Sequence, residues 1–154
     1  MPMIMKNEVY SNLVHEALIA REYAYCPYSN WAVGAALLTK DGKIYRGCNI
    51  ENSGFTATSC AERTAFFKAV SEGEKDFAAI AIVGGTKGKP LEGYCYPCGV
   101  CRQVMCEFCD PDEFMIINGL NEDDYDVYTL REMIPNCGYV IEKDPKSSFY
   151  KGNK

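Results

Sequence analysis

The sequence predicts a single α/β domain over residues 1–154, with helices covering a central sheet of about five strands. Three observations predict it. A length of 154 residues suits one domain, able to bury roughly two thirds of its unfolded surface. Segments with helical spacing of apolar residues alternate with strand-like ones, and no repeat or internal linker interrupts them. The run Asp76 to Gly84 is almost continuously apolar, the mark of a strand covered on both faces.

The elements follow in order. From Asn7 to Tyr25, the apolar positions Val9, Leu13, Val14, Ala17, Leu18 and Tyr23 keep helical spacing, and Cys26-Pro27-Tyr28-Ser29 ends the helix. Ala32–Thr39 and Lys43–Ile50 read as strands joined by Lys40-Asp41-Gly42, whose Asp-Gly supplies the positive φ that a hairpin turn needs. Asn52-Ser53-Gly54 breaks the pattern, and Ser59–Ser71 reads as a second helix stopped by Gly73. After the buried strand, Gly84–Gly93 is a Gly- and Lys-rich loop. Pro97–Phe108 is a third helix, Phe114–Asn118 and Asp126–Thr129 are strands, and Thr129–Ile134 is a short helix closed by Pro135. The acidic stretch Asn121 to Asp126 lacks the flanking helices, central Gly and terminal Glu of a calcium loop, so it reads as a solvated turn.

Nine cysteines stand against one histidine. That ratio excludes zinc sites of two Cys and two His, His-Glu-x-x-His peptidase sites and His-rich metal cages. His15 has no acid or nucleophile three or four residues on and reads as structural. At about 6% the cysteines fall short of a disulfide scaffold, and their odd number prevents complete pairing. The N-terminus has no basic start followed by an apolar run, and the longest apolar runs are far below the roughly 18 residues of a membrane span. A cytoplasmic, reducing compartment is expected, where cysteines serve metals or catalysis more often than bridges. A net charge of −5 leaves no basic footprint for nucleic acid and favours a small-molecule partner.

Two segments carry ligand-like spacing: Ser59-Cys60-Ala61-Glu62-Arg63 and Pro97-Cys98-Gly99-Val100-Cys101-Arg102. Both sit at predicted helix N-termini, which favour negative charge and lower a thiol's pKa. Pro97 suits the first turn, where its missing N–H costs nothing. Cys98 and Cys101, three apart, share one helical face. Cys106 points about 140° away and Cys109 returns roughly 16 Å along the axis, so neither joins them. Cys26, Cys48, Cys95, Cys106, Cys109 and Cys137 read as buried or incidental thiols. Taken alone, Ser59-x-x-Glu62 is equally a capping box, and Cys98-x-x-Cys101 equally a redox pair or half of a structural zinc site. Together they supply three thiolates and one carboxylate, the pattern of a catalytic zinc with one open position. It is the ligand-x-Glu with Pro-Cys-x-x-Cys arrangement of zinc deaminases, in its all-Cys form.

These segments, with Tyr28 to Ala36 and Gly47-Cys48-Asn49-Ile50-Glu51-Asn52, resemble the small homo-oligomeric cytidine deaminase family from about Tyr25 to Pro135. The resemblance implies a three-layer α/β/α fold with a mixed sheet of about five strands. It also implies zinc-dependent deamination of cytidine and deoxycytidine to uridine and deoxyuridine plus ammonia, in pyrimidine salvage. One Zn2+ per chain would be held by Cys60, Cys98 and Cys101, with Glu62 moving protons. Asn49 and Glu51 would bond the ribose hydroxyls, their spacing of two placing both on one strand face. The Ala61 amide would meet the base carbonyl. Trp31 stands where the family usually has Phe against the base, and Phe55 where it has a Tyr contributed to the neighbouring subunit. Three thiolates over-neutralise zinc; the helix ends and Arg63, with Arg102, are placed to offset this. A homotetramer with sites at subunit interfaces is expected, and Tyr139 stands one residue late for the family's C-terminal aromatic. Deamination of a blasticidin-type nucleoside, a nucleic-acid deaminase and a non-catalytic zinc module are the alternatives.

Overall fold

The apolar run expected to be buried on both faces is the middle strand of the sheet. The computed structural model describes residues 3–136, with side chains from residue 6 onward. Its helices are α1 (Met3–Arg21), α2 (Ala61–Ser71), α3 (Gly99–Phe108) and α4 (Leu130–Met133). Its strands are β1 (Trp31–Thr39), β2 (Ile44–Cys48), β3 (Phe77–Thr86), β4 (Met115–Asn121) and β5 (Asp124–Thr129), and a 3-10 turn spans Phe55–Ala57. The strand order is β2-β1-β3-β4-β5. β1 runs antiparallel to β2 and β3, β3 parallel to β4, and β4 antiparallel to β5, so the sheet is mixed. The parallel β3–β4 pair needs a crossover, and α3 supplies it.

Successive residues of β3 serve opposite faces. Ile80 and Ile82 join Phe66, Cys101, Met105 and Phe114 in the core under α2 and α3. Ala79, Ala81 and Val83 join Leu13, Val14 and Ala17 in the core under α1. That gives the three-layer α/β/α architecture, with small residues on the face where α1 lies close. Phe66 is the aromatic centre of the first core, edge-on to Phe77 with ring centres 5.1 Å apart and near-parallel to Phe108 at 6.1 Å.

Boundaries differ from expectation in instructive places. α1 ends at Arg21, and residues 22–30 form turns in which Asn30 takes φ +58°. Asparagine tolerates that left-handed conformation better than most residues. β4 and β5 run towards each other until only two residues separate them, so the acidic stretch is mostly strand and tight turn. It is not merely solvated. Asp124, Asp126 and Glu122 each bond a side chain from another element. His15 is one of those partners, its Nδ1 2.7 Å from Glu122 Oε1, which ties α1 to the β4–β5 turn and confirms it as structural. Within the described residues no helix is long and apolar enough to cross a membrane.

Two glycines let the helices come close to the sheet. A Cβ at Gly34 would lie 2.0 Å from the Ala17 carbonyl, and one at Gly47 would lie 2.3 Å from the Ala61 carbonyl and 2.5 Å from the Ala65 amide. The second contact seats the first turn of α2 directly on β2. A methyl at Gly47 would press on the α2 backbone and on the Ala65 Cβ at 3.0 Å, and overpacking of this kind costs about 3 kcal/mol. Gly47→Ala is therefore expected to lower the calorimetric midpoint by about 10 °C. Gly93→Ala, where a Cβ meets nothing within 4 Å, should shift it by no more than about 2 °C.

Candidate metal centre and active-site cavity

Both helix starts deliver a cysteine as the N-cap. Cys60 caps α2 with φ −71° and ψ 157°, and Cys98 caps α3 with φ −69° and ψ 168°. Neither side chain caps the first backbone amides of its own helix, so both sulfurs remain available to point elsewhere. The capping-box alternative fails here, because Ser59 lies one residue before the cap and its hydroxyl bonds the Cys60 carbonyl. Pro97 likewise lies before the cap rather than in the first turn. Extended caps need no proline ring, and the Pro97 carbonyl instead accepts from Arg102 Nε at 2.8 Å.

The three expected sulfurs converge. Cys60 and Cys98 Sγ are 3.8 Å apart, Cys98 and Cys101 Sγ 3.5 Å, and all three lie within 4.8 Å of one another. A tetrahedral zinc with Zn–S bonds of about 2.3 Å requires sulfurs about 3.8 Å apart, so the donor set fits the ion. Among the described residues it is the one group of three or more His, Cys, Asp or Glu side chains placed to hold a metal. Cys101 is buried, Cys60 half-buried and Cys98 exposed, which leaves an open side towards the cavity.

Charge is arranged around the sulfurs. Arg63 Nη2 donates to Cys60 Sγ at 3.3 Å. Hydrogen bonding from Cys101, reinforced by Arg63, holds the Cys60 thiol well below the usual range; the same Cys60 partner and burial push Cys101 up. Arg102, the other expected cation, is spent on the carbonyls of Pro97 and Met133 and offers the thiols nothing. Its side chain reaches those two carbonyls at 2.8 and 2.7 Å. Glu62 is 4% exposed, and burial, with the Cys60 thiolate adding to it, pushes its carboxyl up to about 7.

These groups floor a cavity of about 390 Å³, within the range of small-ligand sites. Cys60, Ala61, Glu62 and Cys98 lie at its base, and Trp31, Val33, Asn49, Glu51, Cys95 and Tyr96 line its walls. Asn49 and Glu51 lie just past the end of β2, on the extended chain that Ile50 bridges to Tyr25 and Ser59. Asn49 is fixed by two bonds to β1: its Oδ1 accepts from the Val33 amide at 2.9 Å and its Nδ2 donates to the Trp31 carbonyl at 2.7 Å. Glu51 accepts from the Tyr28 and Ser29 amides and from the Ser29 hydroxyl, which holds its carboxyl below the usual range. Phe55 is 89% exposed and lines a neighbouring cavity of about 290 Å³ with Tyr28 and Asn52, outside the main one.

A family model described as the cytidine and deoxycytidylate deaminase zinc-binding region matches residues 7–117. The chain belongs to the cytidine deaminase family. Relatives in sequence include the cytidine deaminase of Sporosarcina psychrophila, 50% identical over 125 residues, covering 81% of this chain and 88% of that protein. The cytidine deaminase of Halalkalibacterium halodurans is 51% identical over 81% of this chain and 90% of its own length. In structure, the chain is similar to the cytidine deaminase of Burkholderia pseudomallei, with a TM-score of 0.72 and 44% identity over 81% of this chain and 95% of that one. Zinc is the family's metal, and the thiol cluster is compatible with it.

Sequence reasoning missed Tyr96, Cys95 and Ser29 as parts of the site. Cys95 was counted among incidental thiols, yet it lines the cavity, with burial pushing its thiol up to about 11. A Cβ at Gly84 would lie 2.8 Å from its sulfur, so the glycine makes its seat; the pairing of a Gly with a cysteine eleven residues on carries no local signal. Cys106, also expected as a thiol, is disulfide-bonded and faces the α2–α3 core. Cys26, Cys48 and Cys109 are free thiols away from the cluster, and Cys137 and Tyr139 lie outside the described residues.

Elemental analysis of the purified protein should give about one zinc per chain. Cys101→Ser should bring that below about 0.2, whereas Cys109→Ser leaves it unchanged. Stripping the zinc should leave far-UV circular dichroism intact, because the core beneath α2 and α3 is made by apolar side chains such as Phe66, Ile80, Met105 and Phe114.

Proposed function

We propose that the chain hydrolyses the 4-amino group of cytidine and deoxycytidine, giving uridine or deoxyuridine and ammonia, with Glu62 carrying the protons. The observation that bears most weight is a buried carboxyl sharing a cavity floor with a three-thiol, zinc-compatible cluster. Cys60, Cys98 and Cys101 would hold the zinc, which when bound supplies a Lewis acid able to make water reactive near neutral pH. Burial leaves Glu62 balanced between protonated and ionised forms, as a group must be that takes a proton, gives it to ring N3 and later serves the leaving amine. The Ala61 amide, first in α2, has no partner within its own helix and is free for the base carbonyl. Arg63 would keep the sulfurs' negative charge from accumulating.

The walls support a nucleoside. An ionised carboxylate has about four lone-pair positions; in Glu51 three are taken by Tyr28 and Ser29, leaving one on Oε2 for a ribose hydroxyl. Asn49 keeps one N–H after bonding the Trp31 carbonyl. Trp31, 47% exposed, offers a ring to the base. No Lys or Arg lines either cavity, and both contain Glu51, so a 5′-phosphate would meet negative charge without a counter-ion. This favours nucleosides over nucleotides.

Phe55 and Tyr28 are exposed at the neighbouring cavity, and Tyr25 and Ile50, bridged to each other, are exposed as well. That supports a homotetramer whose neighbouring subunit receives Phe55. The chain then works as one domain in pyrimidine salvage, in the cytoplasm, where the seven free cysteines among its described residues are stable.

Loss of cytosine absorbance on incubation with cytidine tests the reading directly; zinc-loaded protein that leaves the absorbance unchanged would refute it. Glu62→Gln should keep its zinc and lose at least about three orders of magnitude in kcat. If its turnover and stability both match the parent, the zinc is structural. Cytidine 5′-monophosphate should be turned over at least about a hundredfold less efficiently than cytidine.

A further inference from the structure

Immediately before Cys98, the chain is held by side chains rather than by backbone. Residues 94–98 belong to no strand, Cys98 is extended with φ −69° and ψ 168°, and among the described residues no backbone–backbone hydrogen bond involves residues 90–97. Alternate side chains of an extended segment point opposite ways. Cys95 goes into the seat left by Gly84 on β3. Tyr94 and Tyr96 reach β5, where the Tyr94 hydroxyl donates to Asp124 and the Tyr96 hydroxyl donates to Asp126 Oδ2 at 2.7 Å. Asp124, Asp126 and Tyr128 are themselves two apart, and Tyr128 meets the Tyr96 ring edge-on at 6.3 Å.

The Asp126 end of this contact is rigid. Its second oxygen, Oδ1, accepts at 2.8 Å from Nδ2 of Asn118, which is fully buried on β4 and directly opposite Asp126 in the ladder. The carboxylate therefore cannot swing away without leaving a buried amide donor unpaired, in addition to the Asn118 Oδ1 that already lacks a partner. At the other end, the Tyr96 ring forms cavity wall and the next residue but one is Cys98.

We propose that Tyr96 is a positioning residue, and that the Asn118–Asp126–Tyr96 chain of hydrogen bonds fixes the Cys98 turn, and with it the third sulfur, against the edge of the sheet. The inference rests on the metal-centre reading above. Arg102 closes the turn from the other side by holding the Pro97 carbonyl. Asn49 and Glu51 are tied to β1 and to Tyr28 and Ser29, by none of the hydrogen bonds of this clamp, so substrate grip has its own anchors. Loosening it should therefore affect zinc retention and the chemical step while sparing nucleoside affinity.

The test uses the zinc-loaded full chain, with Tyr96→Phe, Asp126→Ala and the double variant. Zinc transfer to a chromogenic chelator, kcat and KM for cytidine, and the thermal midpoint are measured together. Tyr96→Phe keeps the ring and loses only the hydroxyl. It is expected to release zinc about tenfold faster and to lose about tenfold in kcat, with KM within about twofold and the midpoint within about 3 °C. Asp126→Ala should lose at least as much, and the double variant no more than Asp126→Ala alone, because both remove one interaction. Zinc release and kcat within about twofold of the parent for Tyr96→Phe would overturn the proposal, as would additive losses in the double variant or a loss accompanied by a proportionate fall in midpoint. If the parent binds zinc but does not turn over cytidine, the deaminase reading fails and the chelator comparison still decides the clamp.

Discussion

Everything at the site depends on two helix N-termini meeting at one point. An N-cap residue is not yet helical, so its side chain leaves the helix axis where the first amides also point. Making both caps cysteine sends two sulfurs into the region of highest positive potential that two helix dipoles can offer. Cys60 and Cys98 come from helices 38 residues apart in sequence, yet their sulfurs lie 3.8 Å apart. The sheet makes that possible, because α2 lies on β2 through Gly47 while α3 is the crossover between β3 and β4. Small residues at the helix–sheet contacts are thus part of the metal chemistry.

Electrostatics then explains the division of labour between the two arginines. Three thiolates around a doubly charged ion leave a surplus negative charge, which weakens the ion as an acid. Arg63, one turn into α2, reaches back to Cys60 and reduces that surplus. Arg102 lies four residues past its cap, where Arg63 lies three past its own, and does something else, closing the Pro97 turn and gripping the carbonyl of Met133 at the end of α4. The two helices are alike in sequence pattern and unlike in task. One compensates charge, and the other fixes geometry.

Much of this was legible in the sequence because its signals are local. The cysteine spacing, the proline ahead of the second cap and the Asp-Gly turn each act within four residues, and the apolar period of β3 is continuous. The helix starts were placed two residues early because Ser59 and Pro97 are genuine start signals that stand just outside the caps actually used. The Tyr94–Asp124 and Tyr96–Asp126 contacts could not be read, since each joins residues thirty apart through a hydroxyl that any exposed tyrosine possesses. Glu51 was read as facing a ribose, but its anchoring by Tyr28 and Ser29 was not, because that depends on the turn Asn30 makes before β1.

The cavity is built in two halves with separate hydrogen-bond anchors, which meet where Cys95 bonds the Trp31 side chain. On one wall, Asn49 and Glu51 hang from the start of β1 and the turn before it. On the other, Cys98 and Tyr96 are held by β5 through Asp126 and by α3 through Arg102. Glu62 and Cys60 lie between them at the start of α2. A substrate gripped by the first wall would be presented to a metal held by the second, with the Glu62 carboxyl held at neither edge but in the buried floor. Binding and chemistry can therefore be tuned separately. In this chain the metal-side wall ends in a tyrosine whose hydroxyl is already committed to Asp126, so its ring gives the cavity shape without adding a donor that would compete for the base.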